Sequence, residues 1–152
     1  MSSSRVRKRR QSNRSSQLNF TQLEDRQMLT SITFEDGVVT VFGSASRDVI
    51  DLAGGADFQT FTVSISSDLT PSQTFNRAEV SQVVVFAGDG DDVVNNTLLN
   101  ETVINGQGGN DRLEGGFLND SIFGGDGDDL LIGRNGDDLL DGQDGDDALH
   151  QR

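Results

Sequence analysis

The sequence predicts an all-β chain built as a parallel β-roll, and three observations predict it. A nine-residue unit repeats five times without a gap from Gly106 to His150, every unit keeps an aspartate and an aliphatic residue at fixed places, and only 33% of the 152 residues are apolar. The units begin at Gly106, Gly115, Gly124, Gly133 and Gly142; Asp111, Asp120, Asp129, Asp138 and Asp147 stand sixth, and Leu113, Ile122, Leu131, Leu140 and Leu149 stand eighth. With no Trp, Tyr or Cys, neither a large aromatic core nor a disulfide framework is available to hold such a chain together.

A period of nine is neither a helical stripe nor one long strand, so each unit reads as a turn followed by a very short strand. Glycine at the first, second and fourth places lets the backbone take positive φ and bend tightly, with carbonyls facing inward. Side chains alternate along the short strand, so the eighth-place residues point to one interior. Two units make one flattened coil, and coils stack as parallel strands about 4.8 Å apart. Stacking places Asp111, Asp129 and Asp147 in one column and Asp120 and Asp138 in another. Carboxylates so close repel, and a bound cation turns that repulsion into attraction. Hard oxygen donors without Cys or convergent His suit calcium or magnesium, and a flexible turn offering many oxygens favours calcium. Two plainer readings stand beside this one: a disordered Gly/Asp-rich acidic tract, and a roll whose aspartates only close turns by side-chain hydrogen bonds.

The run closely resembles the RTX (hemolysin-type) calcium-binding nonapeptide, Gly-Gly-x-Gly-x-Asp-x-U-x with U a large aliphatic residue. The resemblance implies a right-handed parallel β-roll with Ca²⁺ held between turns of neighbouring coils by the Asp and by backbone carbonyls. Carried onto this chain, the metal ligands are Asp111, Asp120, Asp129, Asp138, Asp147 and Asp92, with turn carbonyls near Gly106, Gly108, Gly115, Gly124, Asp126, Gly127, Gly133, Asn135, Gly142 and Asp144. Departures from the motif are Leu118 at a glycine place, and Gln107, Arg134 and Gln143 at the second glycine. Leu118 bears most on the site that Asp120 and Asp138 would share.

Taken in order, residues 1–30 form a basic leader, seven basic against two acidic residues, expected to be disordered. Within it Leu23-Glu24-Asp25-Arg26-Gln27-Met28-Leu29 resembles the LEPR-x-LL segment near the start of many exported or surface proteins of some bacteria, with Asp25 for Pro and Met28 for Leu. Residues 31–86 are expected to form an irregular β cap over the roll. A hairpin is predicted around Glu35-Asp36-Gly37, with strands at about 31–34 and 38–42. Gly43 to Asp51 is a degenerate repeat with Asp48 sixth, read as metal-free; Phe58 to Ile65 is an alternating strand, Asp68 to Asn76 a loop, and Val80 to Ala87 a buried strand. Residues 87–150 are the roll itself. Ala87 to Asn95 is its first good unit, with Asp92 sixth, and the nineteen residues from Asp92 to Asp111 require one extra residue near Asn95 or Asn96. Phe123, Leu130, Ile132 and Leu139, at outward places, are expected to make an apolar patch against residues 31–86 or a partner.

The net charge of −13 is concentrated in residues 87–152, sixteen acidic against three basic, which argues against nucleic acid as a partner of the folded part. No run is long and apolar enough to span a membrane. Catalysis is not expected: His150 is the sole histidine and stands near the chain end, and no nucleophile and base converge in any motif. The expected function is a secreted or cell-surface calcium-binding protein whose roll folds on binding Ca²⁺ outside the cell. The alternatives are a fragment or accessory module of a larger RTX exoenzyme or toxin, and an adhesin or matrix building block that self-associates or takes a partner at an exposed C-terminal edge.

Overall fold

The structure, a computed structural model, describes residues 30–66 and 72–151. All but Thr30 of the predicted leader, including the Leu23 to Leu29 segment, lies outside the described residues. Among the described residues, thirteen strands form two sheets. One sheet runs β1 (Ser31–Glu35), β2 (Val38–Phe42), β6 (Gln82–Asp89), β8 (Thr102–Gly108), β10 (Ser121–Asp126), β12 (Leu139–Asp144). The other runs β13 (Ala148–Gln151), β11 (Leu130–Arg134), β9 (Arg112–Glu114), β7 (Val93–Asn96), β3 (Val49–Gly54), β4 (Thr60–Ile65), β5 (Gln73–Asn76). From β2 to β13 the chain crosses from one sheet to the other and back, and every contact between successive coils is parallel. The fold is therefore the predicted all-β solenoid of stacked parallel coils.

The alternation of side chains builds the core as two facing rows. Val41, Val85, Ile104, Ile122 and Leu140 stand in register on one sheet, and Ile50, Val94, Leu113, Leu131 and Leu149 on the other. All are fully buried except the last of each row: Leu140 is partly buried and Leu149 is 45% exposed. The extra residue falls where the spacing requires it. Val83 pairs with Thr102 and Val93 with Arg112, nineteen residues on, whereas Val103 pairs with Ser121, eighteen on, so the insertion lies within 95–101.

At the other end of the stack the strands are antiparallel. β1 closes on β2 through the Asp36-Gly37 turn, whose residues sit at φ 49° and 81°. β4 and β5 fold back on β3. Phe61, Val63 and Ile65 face inward from β4 as their alternation predicts, and Phe75 meets Phe61 with ring centroids 5.5 Å apart. Antiparallel pairing thus covers one end of both parallel stacks.

Two expectations are corrected. Asp68 to Asn76 is not loop throughout, since Gln73–Asn76 is β5, placing Phe75 in the core; residues 68–71 lie outside the described residues. The four outward apolar residues do not form one patch. Phe123 and Leu139 lie on β10 and β12 of one sheet, Leu130 and Ile132 on β11 of the other, so they look away from each other across the roll.

Candidate metal centre

The turns joining the sheets stack into two edges. Turns 43–48, 87–92, 106–111, 124–129 and 142–147 form the first edge; turns 97–102, 115–120 and 133–138 form the second. Asp48, Asp92, Asp111, Asp129 and Asp147 are thus brought into one column, with Thr102, Asp120 and Asp138 on the opposite side.

Glycine serves these turns in two different ways. The second and fourth places take positive φ, as at Gly125 (121°) and Gly127 (124°). Gln107, Arg134 and Gln143 replace the second glycine at φ 79°, 69° and 70°, in the left-handed region that a side chain tolerates at modest cost. First-place glycines do not take positive φ, contrary to expectation; they are needed for space. A Cβ on Gly124 would collide with Asp129 Oδ2 and lie 2.6 Å from Gly142 O, and one on Gly106 would collide with Asp111 Oδ2 and Gly124 O. Each such glycine leaves a cradle between the carboxylate of its own turn and a carbonyl of the next.

The sixth-place aspartates are held rigidly. Oδ1 of each accepts the backbone N–H of the sixth residue one coil earlier: Asp92 from Asp48 at 2.7 Å, Asp111 from Asp92 at 2.8 Å, Asp129 from Asp111 at 2.7 Å and Asp147 from Asp129 at 3.0 Å. On the second edge Asp120 accepts from Thr102 at 2.8 Å and Asp138 from Asp120 at 2.9 Å. The fifth place, which sequence reasoning passed over, carries a ladder in the opposite sense. Asp91, Asn110 and Asp128 accept from the fifth-place N–H one coil later, each at 2.9 Å, and Asn119 does the same for Asp137 on the second edge. Asx residues repeated at the fifth place were its visible signal.

With Oδ1 occupied, the second oxygen decides what each aspartate can do. Asp92, Asp111, Asp129 and Asp138 each keep a buried Oδ2 with no hydrogen-bond partner. Asp120 does not: its Oδ2 accepts from Gly116 N at 2.6 Å. Asp147 has its Oδ2 against Gly142 at the less buried end of the column. Among the expected carbonyls, those of Gly124, Gly133 and Gly142 face cradles, at Gly106, Gly115 and Gly124 respectively. Those of Gly108, Asp126 and Asp144 already accept from Gly90, Gly109 and Gly127 at 2.7, 2.9 and 2.8 Å, leaving each a second lone pair. Gly127 O packs against Gly145, and Asn135 is exposed.

Orphaned buried carboxylate oxygens are costly. Burial, reinforced by the next carboxylates in the column, pushes Asp92 up to about 7 and Asp111 up to about 6. Asp120 rises to about 6, chiefly through burial, and Asp129 is raised for the same reasons as Asp111. A divalent cation fits this arrangement: the oxygens are hard, buried, unpartnered and aimed at a space that a methyl group would fill. Among the described residues no three acidic or histidine side chains converge on one point, so any cation here is met by carboxylate and backbone carbonyl together.

The model of the RTX calcium-binding nonapeptide repeat matches residues 35–59, 103–122 and 114–149. No curated protein and no solved structure matches the chain. The matched family binds Ca²⁺, and its repeat is a structural calcium-binding motif and not a catalytic family. The matched stretches contain the Gly43 to Asp48 turn, which tops the first column, and the turns that hold Asp111, Asp120, Asp129, Asp138 and Asp147. Residues 35–59 and 103–149 of the chain thus carry RTX-type calcium-binding nonapeptide repeats.

Proposed function

We propose that calcium is bound chiefly on the first edge, between turns 106–111 and 124–129 and between turns 124–129 and 142–147, and that this binding completes the folding of the roll outside the cell. The observation that carries the reading is the pairing, at both places, of an unpartnered buried Oδ2 with a carbonyl of the next turn across a first-place glycine: Asp111 with Gly124 O, Asp129 with Gly142 O. Asp92 and Asp138 offer the same orphaned oxygen with part of the cradle altered. Ala87 stands at the first place of the Asp92 turn, and the atoms nearest a Cβ on Gly133 all belong to Asp138. Asp147 supplies the far wall of the second site by accepting from Asp129 N.

Calcium modules that work outside cells bind at roughly 10⁻⁴–10⁻³ M. A roll tuned to that range stays loose where calcium is scarce and sets where it is plentiful, which suits a secreted or surface-associated, non-enzymatic protein. Circular dichroism during a titration to about 10 mM Ca²⁺, a generous multiple of that range, tests the coupling. The β signal is expected to rise and saturate, and its constancy throughout would overturn the proposal.

A further inference from the structure

We infer that the second edge is closed to calcium between turns 115–120 and 133–138, and that the chain's own cation, Arg134, fastens the coils there instead. The inference rests on the calcium reading above for the first edge, and it names Arg134, Glu114 and Leu118 as the residues that restrict calcium to that edge. Three independent features of the second edge carry it.

The Gly115 cradle is the counterpart of those at Gly106 and Gly124, with Gly133 O 2.5 Å and Asp120 Oδ2 2.8 Å from where a Cβ would stand. Here, however, the carboxylate has nothing left to offer a metal as an orphaned oxygen. Oδ1 accepts from Thr102 N and Oδ2 from Gly116 N. The cause is the conformation of the turn. Neither Gly116 nor Leu118 takes positive φ, whereas every first-edge turn from 87–92 onward does so at both corresponding places. Leu118 opposes the fourth-place conformation through its Cβ, and the turn that results aims Gly116 N into its own carboxylate.

One coil earlier the turn has lost the metal-site residues altogether. Thr102 replaces the aspartate and Thr97 the first glycine. A neutral network fills the space: Asn96 Nδ2 donates to Thr102 Oγ1 at 3.0 Å, Leu98 N donates to Asn96 Oδ1 at 2.8 Å, and Asn100 Nδ2 donates to Val80 O at 3.1 Å. Asn96 closes its own turn and Asn100 joins it to the preceding coil, without leaving a charge to be neutralised.

The positive charge on this edge is covalently attached. Arg134, at the second place of its unit, reaches back across two coils: its guanidinium pairs with Glu114 and donates to Asn96 O at 3.2 Å. Glu114 has a side chain only 5% exposed and also pairs with Arg112. One guanidinium therefore ties three successive coils, the task that a bound ion performs on the first edge. The planar fork of arginine suits such bridging of a carboxylate and a carbonyl.

Equilibrium dialysis of the full chain against ⁴⁵Ca, combined with melting in calcium and in chelator, tests the assignment. Asp129→Asn is expected to lower the bound calcium by at least one ion per chain, whereas Asp120→Asn, checked for β structure by circular dichroism, is expected to lower it by none. Arg134→Ala is expected to lower the melting temperature by about 4 °C or more, in chelator as well as in calcium, because it removes a fastening that no ion replaces. Glu114→Gln is the milder companion should Arg134→Ala fail to fold, with a smaller fall of the same sign under both conditions. Loss of an ion from folded Asp120→Asn, or melting of Arg134→Ala unchanged in chelator, overturns the inference. Should the unaltered chain bind no calcium, the reading of the first edge fails, and the melting of Arg134→Ala in chelator still decides the second.

Discussion

A single methyl group separates a turn with room for an ion from one without it. At Gly124 that methyl would collide with the Asp129 carboxylate and crowd Gly142 O, so Gly124→Ala is expected to abolish one calcium site and to destabilise the loaded protein by about 1–3 kcal/mol through overpacking. Calorimetric counting of bound ions checks the first effect and melting the second. At Gly127 the demand is different, because φ is 124° there, so alanine strains the backbone with or without calcium. The carboxylates set a pH dependence whose sign follows from their raised values. Asp92, Asp111, Asp120 and Asp129 hold protons more tightly when folded than when unfolded. Their contribution to stability is therefore fully present below the unfolded value of 3.8 and is lost as pH rises through the folded values, about 6 for Asp111 and Asp120 and about 7 for Asp92. In chelator the protein is expected to melt at a higher temperature at pH 5 than at pH 7.5. Calcium competes with the protons of Asp111 and Asp129, so its affinity is expected to fall on acidification, as titrations at the two pH values would show. The sixth-place aspartates were legible in the sequence because nothing but a site or a turn explains their spacing. Whether an aspartate keeps a free oxygen was not legible, since at Asp120 it depends on how Leu118 redirects the amide of Gly116.

At the scale of the element, each coil contributes one residue to each interior row, and the row is as strong as its coverage on both sides. Leu131 lies between Leu113 and Leu149 and is fully buried, whereas Leu149 is 45% exposed. Leu131→Ala is expected to cost about 2–5 kcal/mol and Leu149→Ala much less, a contrast that chemical denaturation of the two variants measures directly. Strands of the roll were legible because a fixed period repeats the same inward residue. β5 was not: Gln73–Asn76 holds one apolar residue close to the only proline, and it is a strand because β4 offers it an edge and Phe61 offers Phe75 a partner. Arg134 and Glu114 were equally hidden. They stand twenty residues apart, and only the stacking of coils brings them together.

At the scale of the whole molecule, the interior rows and the proposed calcium sites hold the coils by different means, and they respond differently to their surroundings. The interior rows are one side chain deep on each sheet, and the column of aspartates opposes stacking as long as its charges are uncompensated. By mass action, a site held at ten times its dissociation constant contributes about 1.4 kcal/mol, so the two proposed first-edge sites would contribute roughly 3 kcal/mol. For a chain of this length that corresponds to a rise in melting temperature on the order of 10 °C. Melting is therefore expected to shift upward with the logarithm of calcium concentration once the sites fill, with no plateau at saturation, because only the folded state binds. Magnesium at the same concentrations is expected to produce a much smaller shift, since it demands a near-octahedral shell and parts reluctantly with its waters, which a cradle of a carboxylate and a backbone carbonyl does not replace. Sodium chloride at matched ionic strength separates binding from screening: it weakens repulsion among the exposed fifth-place carboxylates but cannot occupy the buried cradles at Gly106 and Gly124. A shift produced equally by all three salts would mean that relief of surface charge, and not an ion held between turns, stabilises the roll.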